Sequence, residues 1–123
     1  KAGRAGFREL RLVFSSKDLK NHLRAYGEER WDASKIKQQV EKVAIWAQKN
    51  GVKLICNEFG AYRVYCLPPY RIAWLHDVRL ALEKYKIGWA MWEYDGNFGL
   101  VYRKNGRALV DKQVARALGL QVD

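Results

Sequence analysis

The segment VKLICNEFG, residues 52–60, decides the fold class, because its apolar run ends abruptly in polar residues. Residues 52–56 are apolar except for Lys53, and this pattern predicts a short parallel strand that is covered on both faces. Asn57 and Glu58 follow at the carboxyl end of the predicted strand. The Glu58 carboxylate is either a solvated group after a strand or part of a site, because α/β folds place their sites at the carboxyl ends of parallel strands.

Amphipathic helices are predicted on both sides of this strand. Apolar residues recur at helical spacing between Asp32 or Ser34, either of which is a good N-cap, and Gly51, a good C-terminal stop. A second apolar stripe runs through residues 70–88 and leads into IGWAMWEY, residues 87–94, which also ends in polar groups. The order helix, strand, helix, strand predicts parallel β/α units and therefore an α/β fold.

Turn and cap signals organise the tail of the chain. Asn105 and Gly106 separate two apolar stretches, which predicts a β-hairpin. Asp111 is placed to cap a last short helix that ends at Gly119. Residues 1–20 fit either a strand or a short helix, so their structure stays open at this point.

Composition narrows the class of protein. The chain has 123 residues, enough for one domain, and a net charge of +10, but its Lys and Arg residues are scattered rather than gathered in a patch. Nucleic-acid binding is therefore only the lesser alternative. No apolar run approaches the ~20 residues that cross a bilayer, and no secretory signal peptide is visible. The cysteines and histidines show no metal-ligand spacing, so we expect no metal, no other cofactor and no disulfide framework.

Three segments together resemble a known family. NEFG at 57–60, WLHDVRLALEKYKIGW at 74–89 and GWAMWEYDGNFGLV at 88–101 are similar to the carboxyl-terminal part of glycoside hydrolase family 5, the cellulases and related β-glycanases. The resemblance implies a fragment of a (β/α)8 TIM barrel, about its last two βα units, with a short β-hairpin and a carboxyl-terminal helix. The partial barrel domain is expected at residues 23–123, and residues 1–22 form a poorly assigned leader outside the resemblance.

The resemblance implies an endo-β-1,4-glucanase-like activity with retention of configuration on a β-glucan polysaccharide or oligosaccharide. Glu58 takes the position of the family's nucleophile, and Trp92, or less plausibly Trp89, takes that of the tryptophan beneath the sugar. Tyr62 and Asn97 lie in the loops after the two strands, where we expect them to line the substrate cleft. The family also implies a secreted or periplasmic location.

The sequence departs from the family at the second catalytic group. The Asn-Glu-Pro motif that holds the family's acid/base glutamate is absent, and a complete barrel needs about 250 residues. An inactive or carbohydrate-binding barrel remnant is therefore the main alternative to an enzyme. Because strands of a partial barrel expose edges, we expect a homo-oligomer, in which the Glu58 and Glu93 carboxylates of two copies would meet.

Overall fold

The computed structural model describes residues 16–122, so the expectations for residues 1–15 lie outside the described part. The chain divides into two compact units, Lys1–Trp31 and Asp32–Asp123. In the first unit, helix α1 spans Ser16–Glu29. The predicted boundary between residues 22 and 23 falls inside α1, and the second unit begins at Asp32.

Helix α2, Ala33–Asn50, opens the second unit and confirms the first predicted helix. The Asp32 side chain caps it by accepting a hydrogen bond from the Lys35 N–H at 2.9 Å, so Asp32 rather than Ser34 is the N-cap. At the other end Gly51 adopts the left-handed conformation, with φ at 64°, and its N–H donates to the last turn of the helix.

One parallel β/α/β unit follows and confirms the predicted alternation. Strand β1, Ile55–Phe59, pairs in parallel with strand β2, Gly88–Met91. Helix α3, Pro68–Lys84, connects the two strands and packs against α2. The helix begins before the predicted residue 70 because a proline at the first helical position needs no hydrogen bond for its missing N–H.

The predicted position and coverage of the first strand were wrong. Strand β1 begins at Ile55, so Asn57 and Glu58 lie within it and do not follow it. It is not covered on both faces, because the Ile55 side chain is 72% exposed and only Phe59 is buried. The apolar run marks where hydrophobic residues are, whereas pairing with β2, which starts at Gly88, determines which residues form the strand.

One hydrophobic core in the second unit joins its helices with strands β1 and β2. Among the described residues, the largest completely buried side chains are those of Leu75 in α3 and of Val114. Phe59 closes this core at the end of β1. Trp46 of α2 lies outside this core, because it is 56% exposed.

The tail folds as the turn signals predict. Strands β3, Val101–Lys104, and β4, Arg107–Val110, form an antiparallel hairpin around Asn105 and Gly106, both of which have positive φ. Asp111 caps the short helix α4, Lys112–Ala117, by accepting the Val114 N–H at 3.2 Å.

Candidate active site

The carboxyl ends of β1 and β2 lie side by side. Trp92 directly follows β2, and its N–H donates a hydrogen bond to the Phe59 carbonyl oxygen at 2.8 Å. Gly60 lies against the same backbone, since a Cβ built on it would stand 2.4 Å from the Trp92 carbonyl oxygen. The geometry therefore places Glu58 and Trp92, two of the predicted site residues, at one edge of the sheet.

The pairing of the two strands is irregular at Glu58. Cys56 pairs with Trp89 and Phe59 with Met91, so three steps along β1 match two steps along β2. An extra residue of this kind changes the direction in which neighbouring side chains point. Glu58 is exposed, and within residues 16–122 its carboxylate makes no hydrogen bond or ion pair. This free carboxylate is available to a substrate.

The two tryptophans considered for the sugar platform have different environments. The Trp92 side chain is 51% exposed beside the strand ends. Trp89 is partly buried and packs edge-on against Phe59, with 5.6 Å between ring centroids. Trp92 is therefore the ring with a face available to a ligand.

Tyr62 and Asn97, which come from different loops, are brought together. The Asn97 side-chain amide donates to the Tyr62 hydroxyl at 3.3 Å. The Tyr62 ring also contacts Phe98, with 5.1 Å between centroids. The loop after β1 and the loop after β2 are thus in direct contact, and the pair presents an amide and a hydroxyl on one surface.

Both acidic residues after Trp92 are engaged, Glu93 within its own loop and Asp95 with strand β3. A Glu93 carboxylate oxygen lies 3.5 Å from the Phe98 N–H and occupies the space where Gly96 would carry a side chain. The Asp95 carboxylate pairs with the Arg103 guanidinium at 2.8 Å. Neither acid is therefore free in the way that Glu58 is.

Sequence reasoning did not identify the arginine that holds these loops. Arg71, only 3% exposed, donates to the carbonyl oxygens of Ala61, Phe98 and Gly99 at 2.8–3.0 Å. Burial lowers the pKa of the Arg71 guanidinium, the nearby Arg63 lowers it further, and Asp111 opposes both.

The available signal for Arg71 was its position on an apolar stripe. Arg71 precedes Leu75, Val78 and Leu82 at spacings of a helix face, and all four residues are buried. An arginine in such a stripe needs several acceptors, because a buried guanidinium has five N–H donors.

A second arginine extends the same group. The Arg63 N–H donates to the Asn97 carbonyl oxygen at 2.8 Å, and its guanidinium donates to Gly99 at 2.7 Å. The Arg63 guanidinium also lies over the Tyr102 ring at 5.1 Å. Its exposed side borders an open cavity of about 620 Å³ that Asn97, Tyr102 and Arg103 also line.

The described residues 16–122 contain no cluster of three or more His, Cys, Asp or Glu side chains suited to a metal ion. Over the same residues, none of the helices has the length and apolar character needed to cross a bilayer.

Part of this chain is similar to known endoglucanases. No protein-family profile matches the chain. Endoglucanase 3 of Fibrobacter succinogenes is 33% identical over 85 residues, which are 69% of this chain. A hyperthermophilic endo-β-1,4-glucanase solved with substrate is 31% identical over 74% of the chain, with a TM-score of 0.63. Cel5A of Thermotoga maritima, solved with cellobiose, is 30% identical over 69%, with a TM-score of 0.59.

Over about 70% of its length the chain is similar to cellulases of glycoside hydrolase family 5. It spans 12% of the Fibrobacter protein and 28–29% of the two solved chains. The resemblance expected from NEFG and the two longer segments is therefore confirmed, and the structural relatives are barrel endoglucanases. These relatives are thus much longer than this chain.

Proposed function

We propose that this chain supplies the nucleophile side of a retaining β-1,4-glucanase site, with Glu58 as the nucleophile. The observation that supports it is the placement of a free, exposed Glu58 carboxylate at the same sheet edge as the exposed Trp92 ring. Relatives solved with cellobiose and with mannotriose support a β-linked glycan as the substrate class.

The proposed chemistry assigns one task to each group. The Glu58 carboxylate attacks the anomeric carbon while the glycosidic bond breaks, and the leaving oxygen takes a proton from a second carboxylic acid. Water then displaces Glu58 from the sugar and gives its proton back to that second group. The Trp92 face would bury the apolar face of the ring, and the Tyr62–Asn97 pair would hydrogen-bond to sugar hydroxyls.

The second acid has to come from outside the described site. Retaining enzymes hold their two carboxyl groups about 5–5.5 Å apart. Glu93 is engaged within its own loop and Asp95 with Arg103 of β3, which favours a source on another segment or another copy. We propose a homo-oligomer as one such source, supported by the exposed Ile55 side chain of β1 that a partner would cover.

A second candidate function is binding of the glycan without hydrolysis. The engagement of Glu93 and Asp95 favours it, because a single free carboxylate can hold a sugar but cannot complete both steps. In this case Trp92 and the Tyr62–Asn97 pair would retain affinity for the glycan while Glu58 stays idle.

The resemblance to family 5 supports further proposals about context. We propose that β1 and β2 are the seventh and eighth strands of the barrel, and that the partial domain covers residues 23–123. We also propose a secreted or periplasmic location for the protein. Sequencing the transcript tests the extent of the domain, and fractionating the source cells tests the location.

The deciding experiment measures reducing sugar released from carboxymethylcellulose by the purified chain and by Glu58→Gln. The activity should vanish in Glu58→Gln while the folded state is unchanged, because the carboxylate has no partner in residues 16–122. Equal activity in both proteins would exclude Glu58 as the nucleophile.

A binding experiment separates the two candidate functions. Trp92→Ala should lower the affinity for cellohexaose about tenfold or more, whereas Trp46→Ala, an equally exposed tryptophan on α2, should not change it. Binding that depends on Trp92 without any hydrolysis selects the second candidate. The absence of cellohexaose binding by the unaltered chain excludes both.

A further inference from the structure

We propose that Arg71 is a positioning residue that holds the two loops of the candidate site in one arrangement. Its Nε donates to the Ala61 carbonyl in the loop after β1, at 3.0 Å. Its Nη2 donates to the Phe98 and Gly99 carbonyls in the loop after β2, at 2.8 and 2.9 Å. One rigid guanidinium therefore joins two loops that are separated along the chain by helix α3 and strand β2.

Arginine is the side chain suited to this task. Its planar group presents five N–H donors in fixed directions, whereas a lysine ammonium is a compact charge on a flexible stem. Because the Arg71 side chain is only 4% exposed, the carbonyls that it serves have little access to water as a replacement. Replacement by Lys keeps the charge but cannot serve both loops with the same geometry.

Asp111 completes the arrangement from a third segment. One of its carboxylate oxygens lies 3.6 Å from both the Arg63 and the Arg71 guanidinium groups. Its other oxygen accepts the Val114 N–H and caps α4. The same carboxylate thus compensates the buried positive charge and ties the loops to the start of the last helix.

The contacts of Arg71 lie next to the residues that would contact a sugar. Ala61 directly precedes Tyr62, and Phe98 directly follows Asn97. Holding the Ala61 and Phe98 carbonyls therefore sets the distance across the Tyr62–Asn97 hydrogen bond. The effect on sugar binding rests on the proposed function, whereas the joining of the loops does not.

Amide hydrogen exchange tests the joining of the loops without any ligand. The reporters are the Arg63 N–H, which donates to Asn97, and the Leu100 and Val101 N–H groups, which donate to Glu93 and Tyr94. In Arg71→Lys all three should exchange about tenfold faster or more, because a hydrogen bond to a charged group is lost from each loop.

Arg79→Lys is the matched control for this experiment. Arg79 lies on the same helix and donates to a backbone carbonyl, that of Ala117, at 2.8 Å. Loss of this hydrogen bond should leave the exchange rates of the three loop amides unchanged and accelerate exchange of the Leu118 N–H at the end of the last helix. Equal acceleration of the loop amides by Arg71→Lys and Arg79→Lys would overturn the proposal, because it would show general destabilisation only.

Two further measurements keep the test decisive. If Arg71→Lys does not fold, hydrogen exchange is instead measured in the unaltered chain at increasing urea concentrations. The exchange rates of the Arg63 and Leu100 amides should then depend on urea in the same way. Different dependences would show that the loops open independently. For the foldable variant, cellohexaose affinity should fall in Arg71→Lys but not in Arg79→Lys. If the unaltered chain binds no cellohexaose, the proposed function fails while the exchange result still decides the role of Arg71.

Discussion

Replacing Gly60 by Ala should separate the two strand ends on which the candidate site is built. The new Cβ would stand 2.4 Å from the Trp92 carbonyl oxygen and 3.2 Å from the Phe98 ring. Gly60 is not among the glycines with positive φ, so the expected effect is steric and does not come from backbone strain. The backbone oxygen cannot rotate away as a flexible side chain would.

The geometry gives the size of the effect. Relief to an ordinary contact requires the chains to part by about 1 Å, which breaks the Trp92–Phe59 hydrogen bond, 2.8 Å long in the native chain. Loss of that bond costs about 1 kcal/mol. Forcing a methyl group into a filled space costs about 1–3 kcal/mol more. The free energy of unfolding should therefore fall by about 2–4 kcal/mol.

Urea unfolding followed by tryptophan fluorescence measures this change. A loss of that size lowers the midpoint by about 1–2 M urea for a domain of this length. Gly88→Ala is the matched control, because its Cβ would meet only the Ile55 side chain, at an ordinary 3.8 Å. A Gly60→Ala midpoint equal to that of Gly88→Ala would refute the steric argument and the proximity of the strand ends.

Two other predictions concern the core and the surface of the same unit. Leu75→Ala should lower the free energy of unfolding by about 2–5 kcal/mol, because Leu75 is fully buried. Leu80→Ala, on an exposed part of the same helix, should lower it by less than about 1 kcal/mol, and calorimetry compares the two variants. The Tyr85 hydroxyl donates a hydrogen bond to the Glu41 carboxylate at 2.6 Å, which raises the pKa of Tyr85. The stability that this bond gives the fold is fully present below the ordinary tyrosine pKa and is lost as the pH rises through the raised pKa. Phenolate absorbance should show one tyrosine that titrates late, and the late step should be absent in Tyr85→Phe.

Local signals predicted most of the helices and turns. Asp32, Gly51 and Asp111 mark helix ends, and their side chains or backbone make the cap hydrogen bonds that their residue types favour. The Asn105–Gly106 pair likewise forms the hairpin turn, because both residues accept positive φ at little cost. Such signals succeed because each depends on residues only about four positions apart.

Features that depend on distant partners were not predictable in the same way. The location of β1 follows from its register with β2, and the burial of its side chains depends on which elements pack against the two faces of the sheet. The candidate residues Tyr62 and Asn97 were expected only in the same cleft, and their direct hydrogen bond depends on the meeting of two loops.

The sequence by itself determined the α/β class, the capped ends of α2 and the start of α4, the hairpin and the resemblance to glycoside hydrolase family 5, because these depend on periodicity, caps and short motifs. Only the tertiary structure decided that Glu58 stands free at an irregular strand pairing while Glu93 turns into its own loop. It also decided the role of Arg71, whose carbonyl partners lie 10, 27 and 28 residues away. A buried guanidinium takes whichever acceptors the folded chain brings to it, and no local pattern specifies them.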